Sequence, residues 1–172
     1  MAEEKYAKYV LNQENELRMK IFDPVNQLHP GIGFRSAKFW EGETVGSSWT
    51  CISRPLLMDP YPMIHDECDE YLCFIGGDPR NMFDFGAEIE LYLGEEEEKH
   101  VITSATIVYI PRGLPHCPLN FKKVEKPVLF TIIESGGGYK RRIKKDGKWS
   151  RARTFDEELR EEPHWGFTGT YQ

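Results

Sequence analysis

The 172-residue sequence lacks any run of about 20 apolar residues, the length that a helix needs to cross a bilayer. Its first residues, MAEEKYAKYVLNQ, contain acids and no apolar core of the kind found in secretory signals. An excess of positive charge is also absent, since the formal net charge is −6 at pH 7. We therefore expect a cytoplasmic protein with a small-molecule partner and with no nucleic-acid or membrane partner.

Cysteine is scarce, and the four that occur form no Cys-x-x-Cys pair: Cys51, Cys68, Cys73 and Cys117. This spacing excludes a zinc ribbon or a thioredoxin-like site, and it is not the close-set framework of a small secreted fold. We expect reduced thiols that are mostly buried. No internal repeat is visible, so the chain is predicted to be one structural unit.

Short β-prone runs separated by turns dominate the sequence from about residue 34: SWTCIS, EYLCFI, EIELYL, HVITSATIVYI and PVLFTIIES. This spacing is typical of a sandwich or a barrel. Before it, apolar residues spaced through residues 5–20 predict a short amphipathic helix. Within the β region, GEEEEKH predicts an exposed hairpin tip, because four adjacent glutamates repel one another. Near the end, KKDGKW predicts a hairpin turn at Asp146-Gly147.

Three side chains with metal-binding chemistry are separated in sequence but predicted to meet. His65 ends one short strand and Glu70 begins the next, which brings an imidazole and a carboxylate to one mouth of a barrel. His116 follows the segment VYIPRGLP, whose prolines and glycine stiffen the turn so that the imidazole is oriented in advance. Each histidine alone is equally compatible with a surface or hydrogen-bonded core residue, but two imidazoles and one carboxylate together suit a transition metal and leave coordination positions open.

These residues resemble the two motifs of the cupin superfamily. The second cupin motif, Pro-x-Gly-x-x-His-x-x-x-Asn, is matched at Pro111, Gly113, His116 and Asn120, although Ala105 occupies the place of its leading glycine. The first motif is matched at His65, Glu70 and Gly77, with Met63 at the place of its first histidine. The resemblance covers roughly residues 45–135.

The resemblance implies an all-β double-stranded β-helix, which is a jelly-roll barrel, with a short N-terminal helix and arms at both ends. The expected parts are an N-terminal arm and helix at 1–40, a cupin barrel at 41–140, and a C-terminal hairpin and tail at 141–172 that packs on the barrel or on a neighbour. Small cupins commonly pair through a sheet, so a homodimer is also implied.

The resemblance further implies His65, Glu70 and His116 as ligands of one divalent transition metal, which would be Fe, Mn, Ni or Zn. Met63 departs from the pattern. A thioether is too soft to replace imidazole on these ions, so the metal would keep three protein ligands and gain an open position. That position would admit a chelating substrate, or it would mark a weakened site.

Strand alternation and charge suggest further pocket residues beside Met63. If Glu70 faces inward, Leu72 and Phe74 face inward too and form an apolar wall. Arg54 and Arg112 are candidate anchors for a carboxylate, and each is equally compatible with an exposed charge. Cys117 is expected to point away from His116 and to pack.

The expected function is that of a metal-dependent enzyme acting on a small oxygenated organic molecule bound in the barrel. Dioxygenase, isomerase and lyase reactions all occur on this fold, so the fold does not select among them. The alternative is a non-catalytic module that binds a small molecule or sugar, with Met63 as the sign of a degraded metal site. A third hypothesis, based on the arms at both ends of the chain, is a structural or interaction protein.

Overall fold

The structure, a computed structural model, describes residues 6–11, 18–20, 31–36, 39–154 and 157. The described residues form one short 3-10 turn, Ala7–Tyr9, and thirteen strands. The strands are β1 (Arg18–Lys20), β2 (Gly31–Arg35), β3 (Gly46–Ile52), β4 (Leu56–Asp59), β5 (Met63–Ile64), β6 (Cys68–Gly76), β7 (Ala87–Leu93), β8 (Glu98–Ile102), β9 (Thr106–Ile110), β10 (His116–Val124), β11 (Val128–Gly136), β12 (Arg142–Lys145) and β13 (Lys148–Trp149).

Two antiparallel sheets contain all of these strands. One sheet has the order β1-β2-β3-β11-β6-β9, and the other has the order β13-β12-β5-β10-β7-β8, with β4 paired to β10. The chain passes from one sheet to the other at seven connections: β3 to β4, β5 to β6, β6 to β7, β8 to β9, β9 to β10, β10 to β11 and β11 to β12. This alternation places β3-β11-β6-β9 and β4/β5-β10-β7-β8 in the eight-strand jelly-roll order.

Three aromatic rings in mutual contact fill one part of the barrel core. Phe74 lies 4.9 Å from Phe130 and 6.1 Å from Phe121, measured between ring centroids, and all three side chains are at most 2% exposed. Along β6, side chains alternate between buried and accessible because successive residues of a strand point to opposite faces. Glu70 and Phe74 therefore lie on the same inner face, about 13 Å apart along the strand at ~3.3 Å per residue.

Most of the predicted strands and both predicted turns are confirmed. The run HVITSATIVYI is two strands, β8 and β9, which are separated at residues 103–105. The acidic tip joins β7 to β8, and its glutamates Glu95, Glu96 and Glu97 are exposed. Asp146 and Gly147 have φ angles of 51° and 74°, the two positive values that a tight type I′ hairpin turn requires.

The predicted helix at residues 5–20 is wrong in its described part. The chain forms only the turn Ala7–Tyr9 there, and β1 pairs with β2. Tyr6, Tyr9 and Val10 are 57–63% exposed, so the apolar stripe that suggested a helix has no core against which to pack. Residues 12–17 and the aromatic C-terminal tail lie outside the described residues. Among the described residues, no helix has the length and apolarity needed to span a membrane.

Candidate metal centre

His65 and Glu70 come from two strands joined by a tight acidic turn. His65 directly follows β5, and Glu70 is the third residue of β6, where the alternation of the strand turns it into the barrel. Their side chains are 2% and 5% exposed. The Nε2 atom of His65 lies 3.8 Å from Oε1 of Glu70.

The turn that precedes β10 fixes the position of His116, the first residue of that strand. Gly113 has a φ of +82°, a left-handed conformation that glycine adopts without strain, and its N–H donates to the His65 carbonyl oxygen at 2.8 Å. Leu114 N–H donates to the Pro111 carbonyl oxygen at 3.1 Å and closes the turn. The turn between β9 and β10 is thus bonded to the backbone of His65, which fixes the two imidazoles relative to each other.

The three side chains converge on one point inside the barrel. Nε2 of His116 lies 3.3 Å from Oε2 of Glu70, and the ligand atoms of His65, Glu70 and His116 all lie within 4.8 Å of one another. Two ligands bound at ~2.0–2.2 Å to one ion are about 3–4.4 Å apart, so the two His–Glu separations already fall in this range.

Hydrogen bonds on the far side of each ring define which nitrogen faces the cluster. Nδ1 of His65 lies 3.0 Å from the Lys140 carbonyl oxygen, and Nδ1 of His116 lies 3.1 Å from the Leu114 carbonyl oxygen. A carbonyl oxygen only accepts, so each Nδ1 carries a proton, and in the neutral ring the Nε2 that faces the cluster then presents a lone pair. This is the arrangement by which backbone carbonyls orient metal-binding histidines.

The two inward nitrogens have no hydrogen-bond partner within the described part of the chain, although both are buried. Buried polar atoms are nearly always satisfied, so an orphaned pair beside a carboxylate calls for an explanation. Two nitrogen lone pairs and a carboxylate, with no donor among them, attract a cation. The donor set fits a divalent transition metal, with His65, Glu70 and His116 as its ligands.

Electrostatics keep these groups in the forms that bind metal. Burial, opposed by Glu70, lowers the pKa of His65 to about 4, so this ring is neutral at pH 7. Burial raises the pKa of Glu70, but contact with His116 and the proximity of His65 and Arg141 outweigh it and leave the pKa lowered. A neutral imidazole and an ionised carboxylate are the ligand forms that a metal needs.

Arg141 is a buried cation beside the cluster that sequence reasoning missed. Its Nη1 atom lies 3.2 Å from Oδ1 of Asp59 and 3.7 Å from Sδ of Met63, and its side chain is 5% exposed. Burial raises the pKa of Asp59, and the charge of Arg141 opposes that rise. The sequence presents Arg141 within a basic run beside Arg142, and only the alternation of side chains leading into β12 could have distinguished the two.

A second ion pair and an aromatic ring complete the surroundings. Arg35 contacts Glu134 at two points, Nη1 to Oε2 at 2.9 Å and Nη2 to Oε1 at 3.0 Å. Glu134 lies directly opposite Glu70 in the pairing of β11 with β6, so both project from the same sheet face. The ring of Tyr139 lies 4.7 Å from the ring of His65, and the Arg35 guanidinium lies 4.9 Å from the Tyr139 ring.

The cluster is closed to solvent. Because its three side chains are at most 5% exposed, a ligand reaches them only when a covering side chain moves. Tyr139 covers His65 and follows three consecutive glycines, Gly136 to Gly138, the residue type with the greatest backbone freedom.

No protein-family model matches this sequence, and no curated protein matches it. Solved structures that align with the chain include oxalate decarboxylase from Bacillus subtilis, at 11% identity over 71% of this chain and 28% of that chain, with a TM-score of 0.45. A structure concerned with substrate binding and reaction specificity in oxalate decarboxylase aligns at 13% identity over 74% and 30%, with a TM-score of 0.44. A third, concerned with the Mn(II) centres of the Bacillus subtilis enzyme, aligns at 11% identity over 78% and 30%, with a TM-score of 0.42.

This chain therefore spans less than a third of the length of the proteins that it matches. The order of the strands is the observation that decides the fold. The eight central strands have the jelly-roll order, the first cupin motif runs from β5 to β6, and the second lies at the turn between β9 and β10. The chain has a double-stranded β-helix, or jelly-roll, fold.

The departures from the cupin motifs fall at defined places. Met63 is 4% exposed and lies opposite His116 in the pairing of β5 with β10, so a residue at this position faces the centre. Asn120, the last matched residue of the second motif, lies within β10 and pairs with Glu90 and Leu57. The sequence did not predict β10, because Pro118 in HCPLNFKKV argues against a strand.

Cys117 breaks the expected alternation. It has a φ of 71° at an irregularity in the pairing of β10 with β7, and both Cys117 and His116 are buried. The expectation that Cys117 points to the outer face is therefore wrong, because a bulge interrupts the alternation of side chains. The expectation that it packs is confirmed, since it belongs to the core cluster.

The predicted pocket residues separate into two groups. Leu72 and Phe74 face inward as expected, at 3% and 0% exposure, although Phe74 belongs to the aromatic core and not to the surroundings of Glu70. Arg54 is exposed just beyond Ile52, which aligns with Gly76 at the far end of the sheet, about 20 Å along the strand from Glu70 at ~3.3 Å per residue. It cannot anchor a ligand at the cluster.

Arg112 forms an ion pair with Asp69 and does not contact the cluster. Its Nε and Nη2 atoms donate to the two carboxylate oxygens of Asp69, both at 3.1 Å, and its side chain is 53% exposed. The buried cation next to the cluster is Arg141, which comes from a segment that the cupin motifs do not include.

Proposed function

We propose that this protein is a metal-dependent cupin enzyme that binds a small oxygenated organic molecule at one divalent transition metal. The observation that carries the proposal is the pair of buried, orphaned Nε2 atoms of His65 and His116 beside Glu70. Fe, Mn, Ni and Zn all suit two imidazoles and a carboxylate. When bound, such an ion supplies Lewis acidity toward a carbonyl, enolate or carboxylate oxygen.

The chain's own residues supply orientation, charge and exclusion of water. The carbonyl oxygens of Lys140 and Leu114 hold the two rings by their Nδ1 protons. Leu72, Met63 and Cys117 belong to the hydrophobic core, which excludes water and so strengthens charge interactions inside the barrel. Dioxygenase, isomerase and lyase reactions are all compatible with this arrangement.

Metal analysis of the purified protein tests the proposal. We expect about one equivalent of transition metal in the wild type, and its loss in His116→Ala and in Glu70→Gln, since metal affinity depends on every ligand. Asn120→Ala is the matched control, because Asn120 lies in the same strand and outside the ligand set. A wild type that takes up no metal after dialysis against Fe, Mn, Ni or Zn would refute the proposal.

A non-catalytic binding module is the second candidate function, and Met63 favours it. A fourth protein ligand is missing where the buried Met63 thioether stands, and a three-ligand site holds metal less tightly. Small-molecule binding by a protein that contains no metal would support this alternative. Oxygen consumption or turnover of a candidate substrate by the metal-loaded protein would exclude it.

We further propose that the protein works in the cytoplasm as a homodimer. The four cysteines are free thiols, in keeping with a reducing compartment. The outer face of the six-stranded sheet carries exposed apolar side chains on neighbouring strands: Tyr71, Ile107, Tyr109 and Ile133. A contiguous apolar face of this kind is well suited to a second copy of the chain.

A further inference from the structure

Met63 places a buried sulfur atom beside the candidate metal centre. The residue is 4% exposed and lies directly opposite His116 in the antiparallel pairing of β5 with β10. Side chains of such a cross-strand pair leave the backbone about 4.5–5.5 Å apart on one face of the sheet. His65 follows Met63 by two residues, so the alternation of an extended chain turns both to the same side. One thioether and two imidazoles therefore face the same space.

A contact with a buried guanidinium shows where the sulfur lies. Nη1 of Arg141 is 3.7 Å from Sδ of Met63, and Arg141 is near enough to Glu70 and His65 to contribute to the pKa shifts of both. A thioether sulfur has two lone pairs and is a weak acceptor, so this long contact leaves a lone pair for an ion. Methionine also has three rotatable side-chain bonds, which allow the sulfur to adjust to an ion.

The side chains around this space include donors of opposite hardness. A carboxylate such as Glu70 suits hard and borderline ions, whereas a thioether is soft and selects Cu(I). Imidazole binds zinc, iron, nickel and copper, so His65 and His116 can serve either class of ion. Among the described residues, no cysteine sulfur joins the metal-ligating group, so Met63 supplies the soft donor.

The charge of Arg141 favours a singly charged ion at the sulfur. At a metal–sulfur bond of ~2.3 Å, an ion on Sδ lies within about 6 Å of Nη1. Repulsion between cations is proportional to the product of their charges, so a divalent ion is repelled about twice as strongly as a monovalent one at the same distance. Asp59, which contacts Nη1 at 3.2 Å, weakens both repulsions in the same proportion.

We propose that Met63 is a metal ligand for the soft monovalent ion Cu(I), and that it gives this centre a preference for copper that a histidine at the same place would not give. The Cu(I) site consists of Sδ of Met63 and the Nε2 atoms of His65 and His116. Glu70 contributes mainly to the binding of divalent ions. The inference rests on the proposed function, because both classes of ion share the two imidazoles.

Competition of the full-length protein with a chromogenic Cu(I) chelator, under anaerobic and reducing conditions, tests the inference when zinc affinity is measured in parallel. Met63→Leu removes the sulfur with little change in volume, so we expect it to fold. Its Cu(I) affinity should fall at least about tenfold while its zinc affinity changes by less than about threefold, since even a group that only orients a metal ligand alters affinity by roughly ten- to a hundredfold. Glu70→Gln should show the converse, with a larger loss for zinc than for Cu(I).

Two further variants separate the sulfur from the general effect of a substitution. Met63→His supplies a third imidazole, so zinc affinity should rise and the ratio of Cu(I) affinity to zinc affinity should fall. Met82→Leu is the matched control, because Met82 is 49% exposed and its carbonyl oxygen accepts from Gly76 N–H at the far end of β6. It should bind both ions as wild type does. X-ray absorption at the copper edge should show a sulfur neighbour in wild type and in Met82→Leu, and should lose it in Met63→Leu.

The results distinguish the role of Met63 from the proposed function. If wild type takes up zinc but no Cu(I), or if Met63→Leu keeps the wild-type Cu(I) affinity, the role of Met63 is refuted and the metal centre stands. An equal loss of both ions in Met63→Leu would show that Met63 only packs, and would refute it as a ligand. If wild type binds Cu(I) through Met63 but none of Fe, Mn, Ni and Zn, the inference holds and the proposed divalent centre fails. Uptake of neither class of ion refutes both.

Discussion

Arg35 and Glu134 form a two-point ion pair across an intervening strand. Arg35 lies in β2, Glu134 lies in β11, and Gly46 of β3 pairs with both residues. A Cβ atom added at Gly46 would lie 2.4 Å from Nη1 of Arg35 and 2.7 Å from Oε2 of Glu134. The missing side chain of Gly46 is therefore what allows the guanidinium to cross β3 and neutralise Glu134 next to the candidate metal centre.

Gly46→Ala should break this ion pair. The new methyl group would displace the Arg35 guanidinium from the Glu134 carboxylate, which is 7% exposed. We expect a loss of roughly 1–3 kcal/mol in the free energy of unfolding, measured by urea denaturation. Gly138→Ala is the matched control, because nothing lies within 4 Å of its added Cβ atom. Equal stability of the two variants would contradict the role assigned to Gly46.

The stability of the metal-free protein should fall on acidification because of His65. Burial, as the largest cause, lowers the pKa of His65 from 6.5 to about 4. Between these values the unfolded chain binds a proton at His65 that the folded protein does not bind, so stability is full above pH 6.5 and declines as the pH falls toward 4. The decline attributable to this group is roughly 3 kcal/mol.

The measurement is the free energy of unfolding of wild type and His65→Gln across this pH range, since other groups titrate in both proteins. The variant should show the weaker pH dependence, and the difference between the two curves should grow from pH 6.5 downward. Curves that run parallel from pH 6.5 to pH 4.5 would show that His65 is not held in its neutral form.

Tyr139 should control the exchange of metal and ligand at the centre. Its ring lies 4.7 Å from the His65 ring and covers a cluster that has almost no contact with solvent. Tyr139→Ala should release bound zinc to a chelator faster, on the order of tenfold, whereas Tyr139→Phe keeps the ring and should release zinc at the wild-type rate. Stopped-flow release with a chromogenic chelator makes the comparison, and equal rates in all three proteins would exclude Tyr139 as the covering group.

Substitutions on the outer sheet face should dissociate the proposed homodimer. Ile107 is 68% exposed and Tyr109, whose ring lies 5.1 Å from that of Tyr71, is 51% exposed. Ile107→Lys would place a charge in this apolar face, so we expect sedimentation of a monomer where wild type sediments as a dimer. Val101→Lys, on the other sheet and 50% exposed, is the control and should remain dimeric.

A monomeric wild type at micromolar concentration would contradict the proposed dimer. If removal of residues 158–172 then produced a dimer, the C-terminal segment of the same chain would be identified as the group that covers this face.

Local patterns in the sequence predicted the features that depend on neighbouring residues. The alternation along EYLCFI correctly placed Glu70 inward, and Asp146-Gly147 correctly predicted a tight turn, because both depend on backbone conformation within a few residues. The spacing of Pro111, Gly113 and His116 predicted a turn that presents an imidazole, and the structure has that turn.

Features that depend on distant contacts were not predicted. Arg141 and Asp59 are 82 residues apart and Arg35 and Glu134 are 99 residues apart, so no window of sequence reveals either pair. The strand β10 was missed because a bulge accommodates Pro118, and the N-terminal helix was predicted wrongly because an apolar stripe stabilises a helix only when a core is present to cover it.

Anomalous diffraction from crystals of the protein grown with zinc tests directly whether His65, Glu70 and His116 hold one metal ion. We expect one strong peak inside the barrel, at ~2.0–2.2 Å from Nε2 of His65, Nε2 of His116 and a carboxylate oxygen of Glu70. Zinc peaks confined to surface carboxylates, with the two Nε2 atoms bonded to water or to Glu70 in the same crystal, would contradict it.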